Sequence, residues 1–301
     1  MINRLNDFYF KYLMGSEKNK PIALNFINAA LATKESFFTD IIYVNKDQEP
    51  EHQEEKESRL DVKGVLNDGT VVELEMQARK DPYMSVRSLY YWARMYGDEL
   101  VVSEDYKGLK PAVSINVLGY SHENEDTWHN EYRVLNIENH KELTNHLRIV
   151  FLDLVKFEAR RVQEMSDLEL WGAFFSRKVS DEDLKEASIM AEAMIAEDYF
   201  TADAALRYKY EQREKFLRDQ RSRENYAREE GREEGREEGR KEGRKEGLEE
   251  GREEEKDRGI VKMISSLREF QISEVEIKKK IMEKYDLDSK TAEKYMAKTN
   301  I

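Results

Sequence analysis

The stretch "RLDVKGVLNDGTVVELEMQ", residues 59–77, decides the reading. Two alternating runs flank Asn67-Asp68-Gly69, which predicts a β-hairpin closed by a three-residue loop with Gly69 in the left-handed position. Leu66 then faces Thr70, Lys63 faces Glu73, Asp61 faces Glu75 and Arg59 faces Gln77. Strand alternation puts Arg59, Asp61, Lys63, Glu73, Glu75 and Gln77 on one face. Leu60, Val62, Leu74 and Met76 take the other. Acids are depleted in strands, and like charges directly opposite each other destabilise a sheet. Asp61 against Glu75 therefore needs compensation. Arg59 and Lys63 on a solvated face would supply it. So would a divalent cation, since Mg²⁺ is typically held by one or two carboxylates plus waters and phosphate oxygens. A one-residue slip of register would separate the two acids, so the hairpin alone leaves both explanations open.

Outward from the hairpin, residues 1 to about 157 read as a mixed α/β domain. "LNDFYFKYLMG" has Leu5, Phe8, Tyr9, Tyr12 and Leu13 at helical spacing and closes on Gly15. "IALNFINAALA" predicts a second helix, "FTDIIYVN" a strand, and "EPEHQEEKES" a polar loop. After the hairpin, "YMSVRSLYYWARMYGDELV" predicts a helix with Val86, Leu89, Tyr90, Ala93 and Met95–Tyr96 on its apolar side. "KPAVSINVLGY", "HNEYRVLNI" and "LRIVFLDLVKF" read as strands. The last is nearly continuous in apolar residues, as in a strand covered on both faces. Beyond 158 the strand signals stop, and helices follow with Asp181 and Thr201 as expected N-caps. The expected divisions are 1–160 for the α/β domain, 161–227 for a helical extension, 228–257 for a repeat and 258–301 for a small helical unit.

The repeat is a tetrapeptide of the Gly-Arg-Glu-Glu type, with Gly at 231, 235, 239, 243, 247 and 251. Pairs such as Glu233 and Arg236 add a few tenths of a kcal/mol to a helix, whereas each interior Gly costs about 1 kcal/mol relative to Ala. A period of four turns the Gly stripe by about 40° per repeat around a straight helix. Two readings stand: a solvated helical linker, or a coiled-coil-like element through which the chain forms a homodimer or higher oligomer.

Composition narrows the function. The 301 residues include no Cys, which removes disulfides, thiolate metal sites and Cys nucleophiles and suits a cytoplasmic protein. The N-terminal stretch has no apolar signal-peptide core, and no run is long enough to span a membrane. The five histidines lack a metal-ligand spacing. The net charge of −13 argues against non-specific nucleic-acid binding, which rests on Lys and Arg. The polar loop and the Glu-rich repeat carry much of that charge, so a local basic track is still compatible with it.

The Asp61…Glu75-Met76-Gln77 arrangement resembles the PD-(D/E)XK nuclease superfamily, with Gln in place of the motif Lys. More closely, the chain resembles the recombination-promoting nuclease and transposase family. "NDFYFKYLMG" (6–15), the hairpin with its E-x-Q ending, and "RSLYYWARMY" (87–96) are similar to that family's successive motifs over about residues 4–160, and the Gly-Arg-Glu-Glu tail is similar in style. The resemblance implies a restriction-endonuclease-like mixed β-sheet flanked by helices and followed by a helical C-terminal extension. It implies a DNA endonuclease dependent on Mg²⁺ or Mn²⁺, in which Asp61 and Glu75 hold the metal and Gln77 completes the catalytic set. Asp7, Lys11, Lys63, Arg87 and Tyr91 are its supporting candidates. An inactive nuclease-fold scaffold acting through its tail is the alternative, and RNA is a further substrate class that the metal site alone does not separate from DNA.

Overall fold

The computed structural model describes residues 2–31, 37–44, 62–98, 105–122 and 126–299. Asp61, Arg59, Leu60 and the polar loop at 49–58 lie outside the described residues.

Helix α1 (Asp7–Gly15) starts where the Asn6 side chain accepts hydrogen bonds from the backbone N–H groups of Phe8 and Tyr9. Helix α2 (Lys20–Leu31) follows. Strand β1 (Ile41–Tyr43) leads to the hairpin of β2 (Val62–Leu66) and β3 (Val71–Gln77). Helix α3 (Met84–Gly97) then crosses to β4 (Ala112–Leu118), and β5 (His129–Tyr132) and β6 (Leu147–Asp153) complete one six-stranded sheet. Its order is β1-β2-β3-β4-β6-β5. The three central strands β3, β4 and β6 run parallel, and the outer pairings are antiparallel. Every residue of β4, and all but the first of β6, is buried, in keeping with the nearly continuous apolar reading of the β6 segment. Gly64 marks a close approach: a Cβ there would lie 2.6 Å from Ile41 Cγ1 of the neighbouring strand.

The sheet is covered on both faces. Val72, Leu74, Met76, Val113, Ile115, Val150 and Leu152 face a core shared with α1, α2, α4 (Asp167–Ser176) and α6 (Ser188–Ala202). Residues read from sequence as a helical extension thus contribute Leu168, Trp171, Phe174 and Phe200 to that core. The opposite face is covered by α3, which buries Met84, Ser88 and Met95. This corrects the expected apolar side of the helix: Val86, Leu89, Tyr90 and Ala93 are exposed.

Two caps differ from expectation. Ser180, not Asp181, caps α5 (Asp181–Leu184), its hydroxyl accepting from the N–H of Asp183 at 3.1 Å. Asp181 sits in the first turn and pairs with buried Arg4 at 2.9 Å. Thr201 lies inside α6 and donates to the Glu197 carbonyl. Asp203 starts α7 (Ala204–Glu269), accepting from the N–H groups of Ala205 and Leu206.

Contacts divide the chain into two units after Leu217, within α7. In the second unit the last turns of α7, α8 (Glu274–Tyr285) and α9 (Ser289–Lys298) bury Ile260, Ile264, Ile277, Ile281 and Ala292. The repeat is one unbroken stretch of α7, and a Cβ at any of its six glycines would meet nothing within 4 Å.

Candidate active site

The hairpin register is the expected one. Lys63 faces Glu73, Val62 faces Leu74, and Leu66 donates its N–H to the Thr70 carbonyl at 2.8 Å. Gly69 has φ +90°, the conformation the loop demands. Asp68 fixes the loop by accepting from the N–H and the hydroxyl of Thr70.

Glu73, Glu75 and Gln77 therefore share one face of β3. The parallel register with β4 sets Ser114 beside Glu73 and Asn116 beside Glu75. The result is a polar strip under α3 in an otherwise apolar layer. Asn116 is fully buried and donates to Ser114 Oγ (3.1 Å) and to the Val150 carbonyl (3.2 Å), while Ser88 of α3 donates to its Oδ1 (3.3 Å). Trp92 Nε1 pins the helix further along by donating to the Ala112 carbonyl at 2.7 Å.

Glu75 is 7% exposed. Arg87 reaches down from α3 to pair with it through Nη2, and through Nη1 pairs with Asp81 at 2.9 Å. Burial pushes the Glu75 carboxyl above its usual range, opposed by the Arg87 charge. Glu73 is pushed up to about 7, first by burial and then by the neighbouring Glu75 charge, with Lys63 and Arg87 pulling the other way. Tyr120, just past β4, is buried against the backbone of Asp81 without a well-formed hydrogen bond, and burial raises its hydroxyl to about 12. Asp81, Arg87 and Glu75 all act on it, which places it at the same cluster.

The expected residues fall into three groups. Glu75, Gln77, Lys63 and Arg87 come together around the strip. Tyr91, one turn along from Arg87, holds its ring 6.0 Å from the guanidinium. Asp7 and Lys11 lie on α1. Asp7 accepts from Arg213 Nε with both carboxylate oxygens at 3.0 Å, which ties α1 to the start of α7. Asp61 lies outside the described residues. No cluster of three His, Cys, Asp or Glu able to hold a metal occurs among the described residues. Sequence reasoning missed Asp81, Ser88, Ser114 and Asn116. Asp81 carried a signal, six residues before Arg87, whereas the β4 partners depend on a non-local parallel pairing.

No helix among the described residues is long and apolar enough to cross a membrane. No curated protein and no solved structure matches the chain. Residues 4–227 match the family described as PD-(D/E)XK nuclease family transposase. That span takes in the whole sheet, the acid-bearing hairpin and α3, and on this ground the chain belongs to the PD-(D/E)XK nuclease family transposases.

Proposed function

We propose that the chain is a divalent-metal-dependent DNA endonuclease, hydrolysing phosphodiester bonds at the polar face of the β2–β3 hairpin in a recombination, mobile-element or defence setting. The observation that supports this is Glu75, a carboxylate buried on a central strand of a nuclease-family domain. Buried acids are paired or coordinate metals. Here a second acid, Glu73, stands two residues away on the same face, and burial together with the Glu75 charge raises its carboxyl even with Lys63 and Arg87 beside it. The donors are carboxylate oxygens, the chemistry that Mg²⁺ and Mn²⁺ prefer.

Glu75 and Asp61 would hold the ion, Asp61 being the acid that the loop count in the sequence pairs with Glu75. When bound, the ion would lower the pKa of an attacking water and offset charge on the phosphate. Gln77, at the end of β3, can donate from its amide to a phosphate oxygen or to that water. It carries no charge where the superfamily motif has Lys, and Lys63 and Arg87 are the cations beside the same face. Asp7 is already committed to Arg213, so its part is to hold α1 against α7.

The test is cleavage of supercoiled plasmid with Mg²⁺, with Mn²⁺ and with EDTA, beside Asp61→Ala and Glu75→Gln. Nicking or linearisation that needs both the metal and both acids is expected. A folded wild type that cuts with neither metal, or variants that cut as well as wild type, would sink the proposal. An RNA substrate in the same assay separates the sugar types. One observation favours the inactive-scaffold reading instead: Arg87 neutralises Glu75 without any metal. Under that reading the variants change nothing, and function lies in the helical tail.

A further inference from the structure

Helix α3 turns its apolar stripe away from the protein. Tyr83 is 73% exposed, Val86 69%, Leu89 50% and Tyr90 61%, and Ala93 continues the line. Solvent-exposed apolar stripes of this kind mark binding surfaces. The charge around the stripe says what kind of partner fits. Residues 79–98 carry Arg79, Lys80, Arg87 and Arg94 against two acids, Asp81 before the helix and Asp98 at its C-cap, and α3 itself has none. The chain as a whole is at −13. Asp81 is moreover taken up by Arg87. A basic-edged surface on an acidic protein is complementary to an anion. A second copy of the same surface would set like charges against each other, which is costly at an interface.

Geometry joins this surface to the candidate active site. At roughly 100° per residue, Arg87 and Arg94 lie along one border of the stripe, the border from which Arg87 reaches Glu75. Arg94 is exposed there. The Tyr90 and Tyr91 rings meet edge to face at 5.5 Å, and Arg87 lies 6.0 Å from the Tyr91 ring. Aromatic faces next to cations are what unpaired bases and their phosphates bind, each base stacking on a ring while the backbone follows the positive track. Duplex DNA keeps its base faces hidden and offers the tyrosines nothing to stack on.

We infer that the outward face of α3 is a stacking platform for unpaired bases, with Tyr83 and Tyr90 as the platform and Arg94 as a phosphate contact, so that the substrate is single-stranded or frayed DNA. This rests on the proposed function and names the substrate class for the same site. Leu89 and Val86 flank the rings and keep water from the stacked bases.

The test reads binding without cleavage. Full-length protein in EDTA is titrated into a fluorescent oligothymidylate of about 16 nucleotides and into a blunt duplex of the same length, with fluorescence anisotropy as the readout. Tighter binding of the single strand is expected. Tyr90→Ala and Tyr83→Ala each weaken it about tenfold with the duplex unchanged, and Tyr90→Phe retains it. Arg94→Gln flattens the salt dependence by about 0.7 in log–log slope. Equal losses on both substrates, no effect of either tyrosine, or no binding to either DNA overturns the inference. So does a sedimentation run in which Tyr90→Ala turns a dimer into a monomer, because the surface would then belong to a second copy. Metal-dependent cleavage that ignores the tyrosines removes this inference and leaves the nuclease reading standing. Tyrosine-dependent binding without any cleavage does the reverse.

Discussion

The fold opposes the ionisation of Glu73. Its carboxyl is raised from 4.5 to about 7, by burial first and by Glu75 second. Below about pH 4 both the folded and the unfolded chain carry the proton, and ionisation costs the fold nothing. As pH rises, the unfolded chain releases its proton first, while the folded chain holds on until about 7. The stability that protonated Glu73 contributes is therefore lost progressively across that window and is gone above it. A shift of this size corresponds to about 3 kcal/mol at 1.36 kcal/mol per unit. Glu73→Gln keeps the side-chain volume and cannot ionise. In EDTA at about pH 8.5, the variant is expected to exceed wild type by up to about 3 kcal/mol in urea unfolding. The difference should shrink to near zero by about pH 4. Comparing variant with wild type at each pH cancels the other titrating groups, which both proteins share. A gain that does not change with pH would refute the reasoning. So would a variant less stable than wild type at the alkaline end, because the Lys63–Glu73 cross-strand pair would then outweigh burial.

Arg87→Gln leaves Glu75 and Asp81 without their cation and is expected to lower stability in EDTA by about 1–3 kcal/mol. Millimolar Mg²⁺ should then restore more stability to this variant than it adds to wild type, since the ion no longer competes with a guanidinium; a thermal-shift comparison with and without metal reads this, and an equal response of the two proteins counts against Glu75 as a ligand. Replacing the six repeat glycines by Ala should strengthen α7, by about 1 kcal/mol per position, because no described atom lies where the added methyls go. Circular dichroism melts check the gain. Sedimentation velocity on the same variant distinguishes linker from self-association element: an oligomer lost on adding the methyls would show that the glycines admit a partner helix.

The hairpin is legible in the sequence because its determinants are local. A three-residue loop with Gly69 at positive φ leaves one register, and that register sorts charged from apolar residues, so loop chemistry and side-chain pattern agree. Both β4 and β6 are legible as strands, and β6 as a buried one, but their parallel pairing with β3 is not. Nothing in residues 112–118 says that Asn116 will sit beside Glu75 rather than one pair away. The caps lie one or two residues from their expected positions for a related reason. Ser180 next to Asp181, and Thr201 close to Asp203, each offer two acceptors for one start, and propensity does not rank them. Trp171, Phe174 and Phe200 read as helical from sequence, but that they enter the core beneath the sheet depends on contacts with α1 and α2 that no local pattern encodes.

Helix α3 departs from its sequence pattern for a reason that bears on the site. Its apolar residues recur at helical spacing, and such a stripe ordinarily faces the core. Here the sheet beneath the middle of the helix is polar along the line Glu73, Glu75, Ser114 and Asn116 and is faced by Ser88 and Arg87, while Met84 and Met95 nearer the helix ends pack on apolar strand residues. The apolar stripe therefore points away from the sheet. A helix that spends the middle of its inward face on a polar strip and its outward face on tyrosine, valine and leucine is not arranged for monomer stability alone. The sheet could bury an unbroken apolar stripe there at roughly 25 cal/mol per Å² if β3 and β4 offered one along their whole length. That they do not, and that the acids sit there instead, is one fact seen from both sides. The outward stripe of α3 and the buried Glu75 thus mark the same layer as the one where the fold forgoes apolar burial, the pattern expected of the proposed site.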